Sequence, residues 1–168
     1  NDGGFFYTSG EAAPPPGRAG RGREAEAAKN REEAKAAAKK ADGGRPSTAG
    51  MTYSGLKSMI YAGLSQDDIR EKAAKDYIAK NYTLDENPGQ GQRGLYYYYM
   101  VFARAMAALG SPTFTDADGK AHDWKAELAA ALLKRQDAAG GWANPDDRFM
   151  EGDPSIVTSY ALMALSAK

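Results

Sequence analysis

Three segments of this chain are apolar around almost their whole circumference, and this restricts the fold more than any motif does. They are 51–64 (MTYSGLKSMIYAGL), 94–110 (GLYYYYMVFARAMAALG) and 154–167 (PSIVTSYALMALSA). A helix with no wet side must be covered by protein on most sides. Between them lie two segments with a single apolar stripe. Residues 66–82 place Ile69, Ala73, Tyr77 and Tyr82 near one face. Residues 123–136 do the same with Trp124, Leu128, Ala131 and Leu132, and put Lys134 and Arg135 at the negative C-terminal end. The buried segments end at Leu64, Leu109 and Leu165, which lie 45 and 56 residues apart. A period of that size describes stacked helix pairs, each burying its core only against its neighbours. The expected class is all-α.

Local signals mark the ends of these helices. Ser65 followed by Asp68 resembles a capping box for 66–82, and Gly110 suits a C′ glycine. Asp123 can cap 123–136, while Asp153 with Pro154 gives an N-cap and a first helical residue. Residues 11–50 are of another kind. A Pro/Gly/Arg-rich run precedes EAEAAKNREEAKAAAKKA, which favours helix but has no large apolar residue to bury. Nine basic and five acidic residues over 18–45 make this insert mildly basic. It reads as a solubilising linker; a nucleic-acid contact is the weaker reading, because no aromatic is interleaved for stacking.

The connecting turns repeat as well. QDAAGGW (136–142) sets Gln136 before a glycine pair, Gly140 and Gly141, and then Trp142. NDGGFFY at the start follows the same logic, so Asn1 aligns with Ala138 and residues 1–10 read as the end of a similar turn. The Q-x-x-x-G-G-W pattern and the alternating helices resemble the QW repeat of the squalene cyclase and prenyltransferase β-subunit superfamily. The resemblance covers 1–10 and 51–168. It implies an α/α toroid in which 51–64, 94–110 and 154–167 are inner helices and 66–82 and 123–136 outer ones. Five helices make about half of such a ring. The expectation is therefore a partial ring, part of a larger toroid, or self-association. In the turn, the Gln amide is expected to cap groups at a helix end and the Trp to cover it.

The catalytic motifs of that superfamily do not accompany the fold. Its cyclases protonate a polyene with an Asp in a D-x-D-D-T-A pattern at an inner-helix start, within an otherwise apolar pocket. Aligning Thr158 with the family Thr places Pro154 at the first acid and Ile156 and Val157 at the consecutive pair. Zinc as in the prenyltransferases needs Cys and His, and the thioester toroids need a reactive Cys; this chain has no Cys and one His. No cofactor or metal is expected. Asp116 and Asp118 form a D-x-D-G stretch, but an aligned calcium loop would begin at Phe114 and end at Lys125. The stretch reads as a tight turn, with His122 as an exposed loop residue.

The positive candidates are aromatic. Tyr96 to Tyr99 step about 100° apiece around a helix, so most pack in the core and one or two face a cavity. Tyr53, Tyr96, Tyr97, Tyr99 and Tyr160 are the candidates to line it, for an apolar, isoprenoid-like ligand. Lys plus Arg (22) balances Asp plus Glu (22), which gives no electrostatic case for nucleic acid, and no apolar run approaches the roughly 20 residues of a membrane span. Two functions remain: a non-catalytic toroid segment that binds or packs, or part of an isoprenoid cyclase whose acid lies outside this chain.

Overall fold

Aspartates set the starts of three of the five described helices, capping their first amides. A computed structural model describes residues 2–5 and 47–168 of the chain. It holds five α-helices: α1 (Ala49–Tyr61), α2 (Ile69–Lys80), α3 (Leu95–Leu109), α4 (Trp124–Arg135) and α5 (Pro154–Leu165). Strands β1 (Phe114–Thr115) and β2 (Ala121–His122) form one antiparallel hairpin with Phe114 opposite His122. The described residues are thus all-α apart from this clip. The side chain of Asp123 accepts from the Ala126 N–H, and that of Asp153 from the Ser155 N–H ahead of Pro154. Gly110 closes α3 in the left-handed region at φ 72°. These three boundaries fall where the sequence places them.

Others shift. The helix expected over 66–82 starts at Ile69, because Asp68 itself caps it, while the Ser65 hydroxyl accepts from the Asp67 N–H. Its buried face is Glu71, Ala74, Tyr77 and Ile78; Ile69 stands outside at 81% exposure. The first apolar helix runs 49–61 rather than 51–64, ending before Gly63, whose φ is +73°. Residues 47–50 are buried and Thr48 pairs with Phe5, so the insert gives way to the fold earlier than residue 50. Its remainder, 11–46, lies outside the described residues, as do Asn1 and 6–10 of the N-terminal segment.

Packing follows the hydropathy pattern. The three apolar helices contact one another in the order α1, α3, α5, with α2 against α1 and α4 against α3 and α5. Helix α3 is the most enclosed, with Leu95, Tyr98, Tyr99, Phe102, Ala105 and Met106 all at or below 1% exposure. Phe102 meets Tyr53 of α1 edge-on at 5.2 Å and Trp124 of α4 at 6.3 Å, joining three helices through one ring. Offset and edge-on aromatic pairs add about 0.5–1.5 kcal/mol each to the area they bury.

An enclosed helix still has free N–H groups in its first turn. Gly94 precedes α3 with φ 62° and has no side chain to serve them. Glu151, fully buried and 54 residues beyond Tyr97, supplies the acceptor: its Oε1 takes the Tyr97 N–H at 2.8 Å and its Oε2 the Tyr96 N–H at 3.3 Å. Asn144 donates to the same Oε2 at 2.7 Å. A carboxylate at this end is also favoured by the helix dipole.

Replacing Glu151 by Ala leaves the Tyr96, Tyr97 and Asn144 donors without their acceptor and is expected to destabilise the fold by about 3 kcal/mol; urea unfolding measures this, and a loss below about 1 kcal/mol would contradict the cap. A second expectation concerns acid. The Asp68 carboxyl is held down to about 2, against an ordinary 3.8, by the Arg70 guanidinium and then by the Arg70 N–H. A lowered folded value means the contribution is intact above about pH 4 and lost as pH falls toward 2. Hydrogen exchange at the Arg70 amide should quicken across that window, and Asp68→Asn should remove the step.

Candidate functional site

The glycine pair lets a short turn double back at the end of a helix. In QDAAGGW, Asp137 accepts through Oδ1 from the Ala139 N–H and the Gly141 N–H, while Gly140 adopts φ +83°. The Gln136 amide donates to the Gly140 carbonyl at 2.8 Å, so it braces the turn itself rather than the helix end. The helix end is served by Trp142 instead. Its Nε1–H donates to the Leu132 carbonyl in the last turn of α4 at 2.9 Å, and the ring is buried. Gln136 and Trp142 therefore divide the capping in a way the pattern alone did not specify.

The N-terminal segment makes corresponding contacts. Gly3 has φ +82°, against +83° for Gly140. The Phe5 N–H donates to Thr52 Oγ1 at 2.9 Å, as the Trp142 N–H donates to Thr158 Oγ1 at 3.3 Å. Asp2 accepts from the Gly4 N–H and from the Ser47 hydroxyl, which hold its carboxyl below the ordinary value, Ser47 foremost. Both turns thus end on an aromatic residue whose amide is bonded to a threonine within the following apolar helix.

The tyrosines separate into three places. Tyr53 is buried against Tyr98 and Phe102, and its hydroxyl has no partner among the described residues. Tyr96 and Tyr99 meet edge-on at 5.8 Å, both buried. Tyr97 and Tyr160 are half-buried and form a separate edge-on pair at 5.9 Å between α3 and α5. The five candidates therefore do not meet on one wall. Two of the four consecutive tyrosines have an evident task. The connection after α2 passes its Thr83, Leu84 and Asp85 carbonyls over the core; Tyr98 donates to the first and Tyr99 to the second, both at 2.6 Å, and Arg135 to the third at 2.9 Å. Burial pushes both phenols well above the ordinary tyrosine range.

His122 corrects the expectation of an exposed loop residue. It is 5% exposed. Its Nδ1 lies 2.9 Å from Glu127 Oε2 and its Nε2 lies 3.0 Å from Asp116 Oδ2. The Tyr82 ring covers the imidazole at 4.0 Å between centroids and donates its hydroxyl to Glu127. Each ring nitrogen thus faces a carboxylate, and the bond with His122 holds the Asp116 carboxyl below the ordinary value. Sequence reasoning missed this because the partners stand six residues before and five after His122. Both nitrogens are therefore engaged by side chains of this chain rather than turned toward a ligand. Asp116 Oδ1 meanwhile accepts from the Asp118 and Lys120 amides, with Gly119 at φ +84°, as the tight-turn reading expects. Among the described residues no group of three or more His, Asp or Glu side chains is arranged to hold a metal, and no helix is long and apolar enough to cross a membrane.

No family model, curated protein or solved structure matches this chain.

The two aromatic–threonine bonds differ in length and burial, and their deletion should differ accordingly. Thr52→Val removes a fully buried acceptor and should cost about 1–2 kcal/mol; Thr158→Val, at a longer bond and a half-buried site, about half as much. Equal losses in chemical denaturation, or none, would show that these bonds do not fix the turns.

Proposed function

We propose that this chain is a toroid segment of the squalene cyclase and prenyltransferase kind that packs and binds rather than catalyses. The observation that carries the reading is the pair of corresponding turns, each leading from a glycine pair and an aromatic into an apolar helix through a threonine hydroxyl. The mutual packing of α1, α3 and α5 supports it, since an inner layer of such a ring needs apolar helices side by side. At the acid positions of α5, Val157 is fully buried and Ile156 half-buried. Both therefore serve packing. Among the described residues, Asp153 at the start of α5 is spent as its N-cap, and Glu151 below α3 is fully buried with three donors directed at it. A substrate cannot reach it. Asp116 is committed to His122 and to two backbone amides, so it is no better placed to protonate an alkene.

The half-buried Tyr97–Tyr160 pair gives this reading its binding surface. Two ring faces and edges between α3 and α5 suit an apolar, isoprenoid-like ligand, and neither ring must leave the core to make contact. The competing reading, a longer cyclase with its acid elsewhere, makes the same prediction for residues 1–168 on their own.

Incubation with squalene should yield no cyclised product. Turnover, above all turnover that persists in Asp116→Asn and Asp118→Asn, would overturn the non-catalytic reading. Saturable binding of squalene should weaken about tenfold in Tyr160→Ala, the loss of roughly half a buried aromatic side chain; unchanged affinity would remove the tyrosine pair from the proposal.

A further inference from the structure

A cleft of about 350 Å³ opens where the C-terminal ends of α1 and α3 meet α2 and β1. Ile60 and Leu64 form one wall, Leu109 and Phe114 the other, and Glu71 and Lys75 of α2 complete it. The four apolar residues are each half-buried, so they are neither closed into the core nor fully wet. The cleft is separate from the tyrosine pair between α3 and α5.

Glu71 is the unusual member. It is 1% exposed although it lies on the amphipathic helix. Its Oε1 is held by Lys75 Nζ at 2.7 Å, one turn along, but its Oε2 has no hydrogen-bond partner among the described residues. A desolvated acceptor without a donor is costly, and most native proteins avoid it. Gln66 and Ser111 also line the cleft, but neither bonds to that oxygen. The Lys75 side chain, 29% exposed, is the flexible group beside it and the one that can move to admit a ligand.

We propose that this cleft binds a small neutral alcohol, with its ring or short chain against Ile60, Leu64, Leu109 and Phe114 and its hydroxyl donating to Glu71 Oε2. The chemistry selects this class on three counts. An ammonium would meet Lys75 bonded to the same carboxylate, and an anion would meet Glu71 itself. A hydrocarbon would fill the walls and leave Oε2 unpartnered. The volume lies at the low end of ligand sites, roughly 300–1,000 Å³, which limits the body to a single ring or a short chain.

Cyclohexanol is the probe, with methylcyclohexane and cyclohexylammonium as head-group controls. Methyl shifts of Ile60, Leu64 and Leu109 in the full chain report occupancy by NMR. Cyclohexanol should give saturable shifts, with affinity about tenfold above both controls, the factor expected for one hydrogen bond to a charged acceptor. Glu71→Gln should bring cyclohexanol close to methylcyclohexane without changing the latter, and Leu109→Trp should abolish binding of all three by filling the space. Absence of saturable shifts, equal affinity for cyclohexanol and methylcyclohexane, or binding that survives Leu109→Trp overturns the proposal. The head-group series needs no substitution, so it decides the matter even if Glu71→Gln fails to fold.

Discussion

The first turn of α3 depends on a carboxylate delivered from 54 residues away. Helix α3 lies between α1 and α5 and under α4, so water cannot serve its N-terminal amides, and Gly94 has no side chain to do so. Glu151 takes that place, and in taking it fixes much else. Asn144 donates to Glu151 and to the Gln92 carbonyl, which ties the loop before α5 to the loop before α3. Asp153, two residues on, begins α5. The turn that presents Glu151 includes Phe149 and Met150 at φ 67° and 64°, where a residue with a Cβ costs about 1–2 kcal/mol. Three hydrogen bonds to a buried carboxylate outweigh that strain. The strained turn is thus a consequence of capping the central helix.

Rules for reading a sequence look within one turn of a helix, and the structure divides along that line. The alternation of apolar and one-faced helices, the caps at Asp123 and Asp153 and the stop at Gly110 were all legible, since each depends on residues a few positions apart. Glu151 was not: nothing near it in the chain indicates that its partners are Tyr96 and Tyr97. His122 reads as exposed because it directly precedes a helix cap in a loop; folding the hairpin against α4 encloses it between Asp116 and Glu127. Ile69 erred the other way. An apolar residue at the first helical position falls outside the stripe that Ala74, Tyr77 and Ile78 turn toward α1. The tyrosine run was legible as core, but which hydroxyl served which carbonyl depended on the path of residues 83–85.

The two corresponding turns tolerate very different connections. Phe5 and Thr52 are 47 residues apart, Trp142 and Thr158 only 16, yet both amide–hydroxyl bonds form. Closing the longer loop costs only about 1 kcal/mol more, because the entropy of loop closure grows with the logarithm of length. A long connection between Phe5 and α1 is therefore compatible with the same amide–hydroxyl bond. Its composition, polar and free of large apolar residues through 24–41, fits a segment that competes for no core space.

The same correspondence explains how one helix type serves two environments. With Thr52 matched to Thr158, the α1 residues Ala49, Tyr53, Leu56 and Ile60 fall opposite Ser155, Ser159 and Leu162 of α5 and its C-cap Ser166. On α1 the first three are buried and Ile60 packs on the core, as α3 covers them. On α5 and its cap all four are exposed. At three of the four positions α1 has an apolar residue and the α5 segment a serine, so each sequence matches its own water line around the same threonine bond. Leu162, at 55% exposure, is the position with the same residue in both. A single leucine among serines is ordinary for a wet face. The likeness of the two segments therefore rests on the turns and the threonine bonds, while the composition of each face is set by what that face meets.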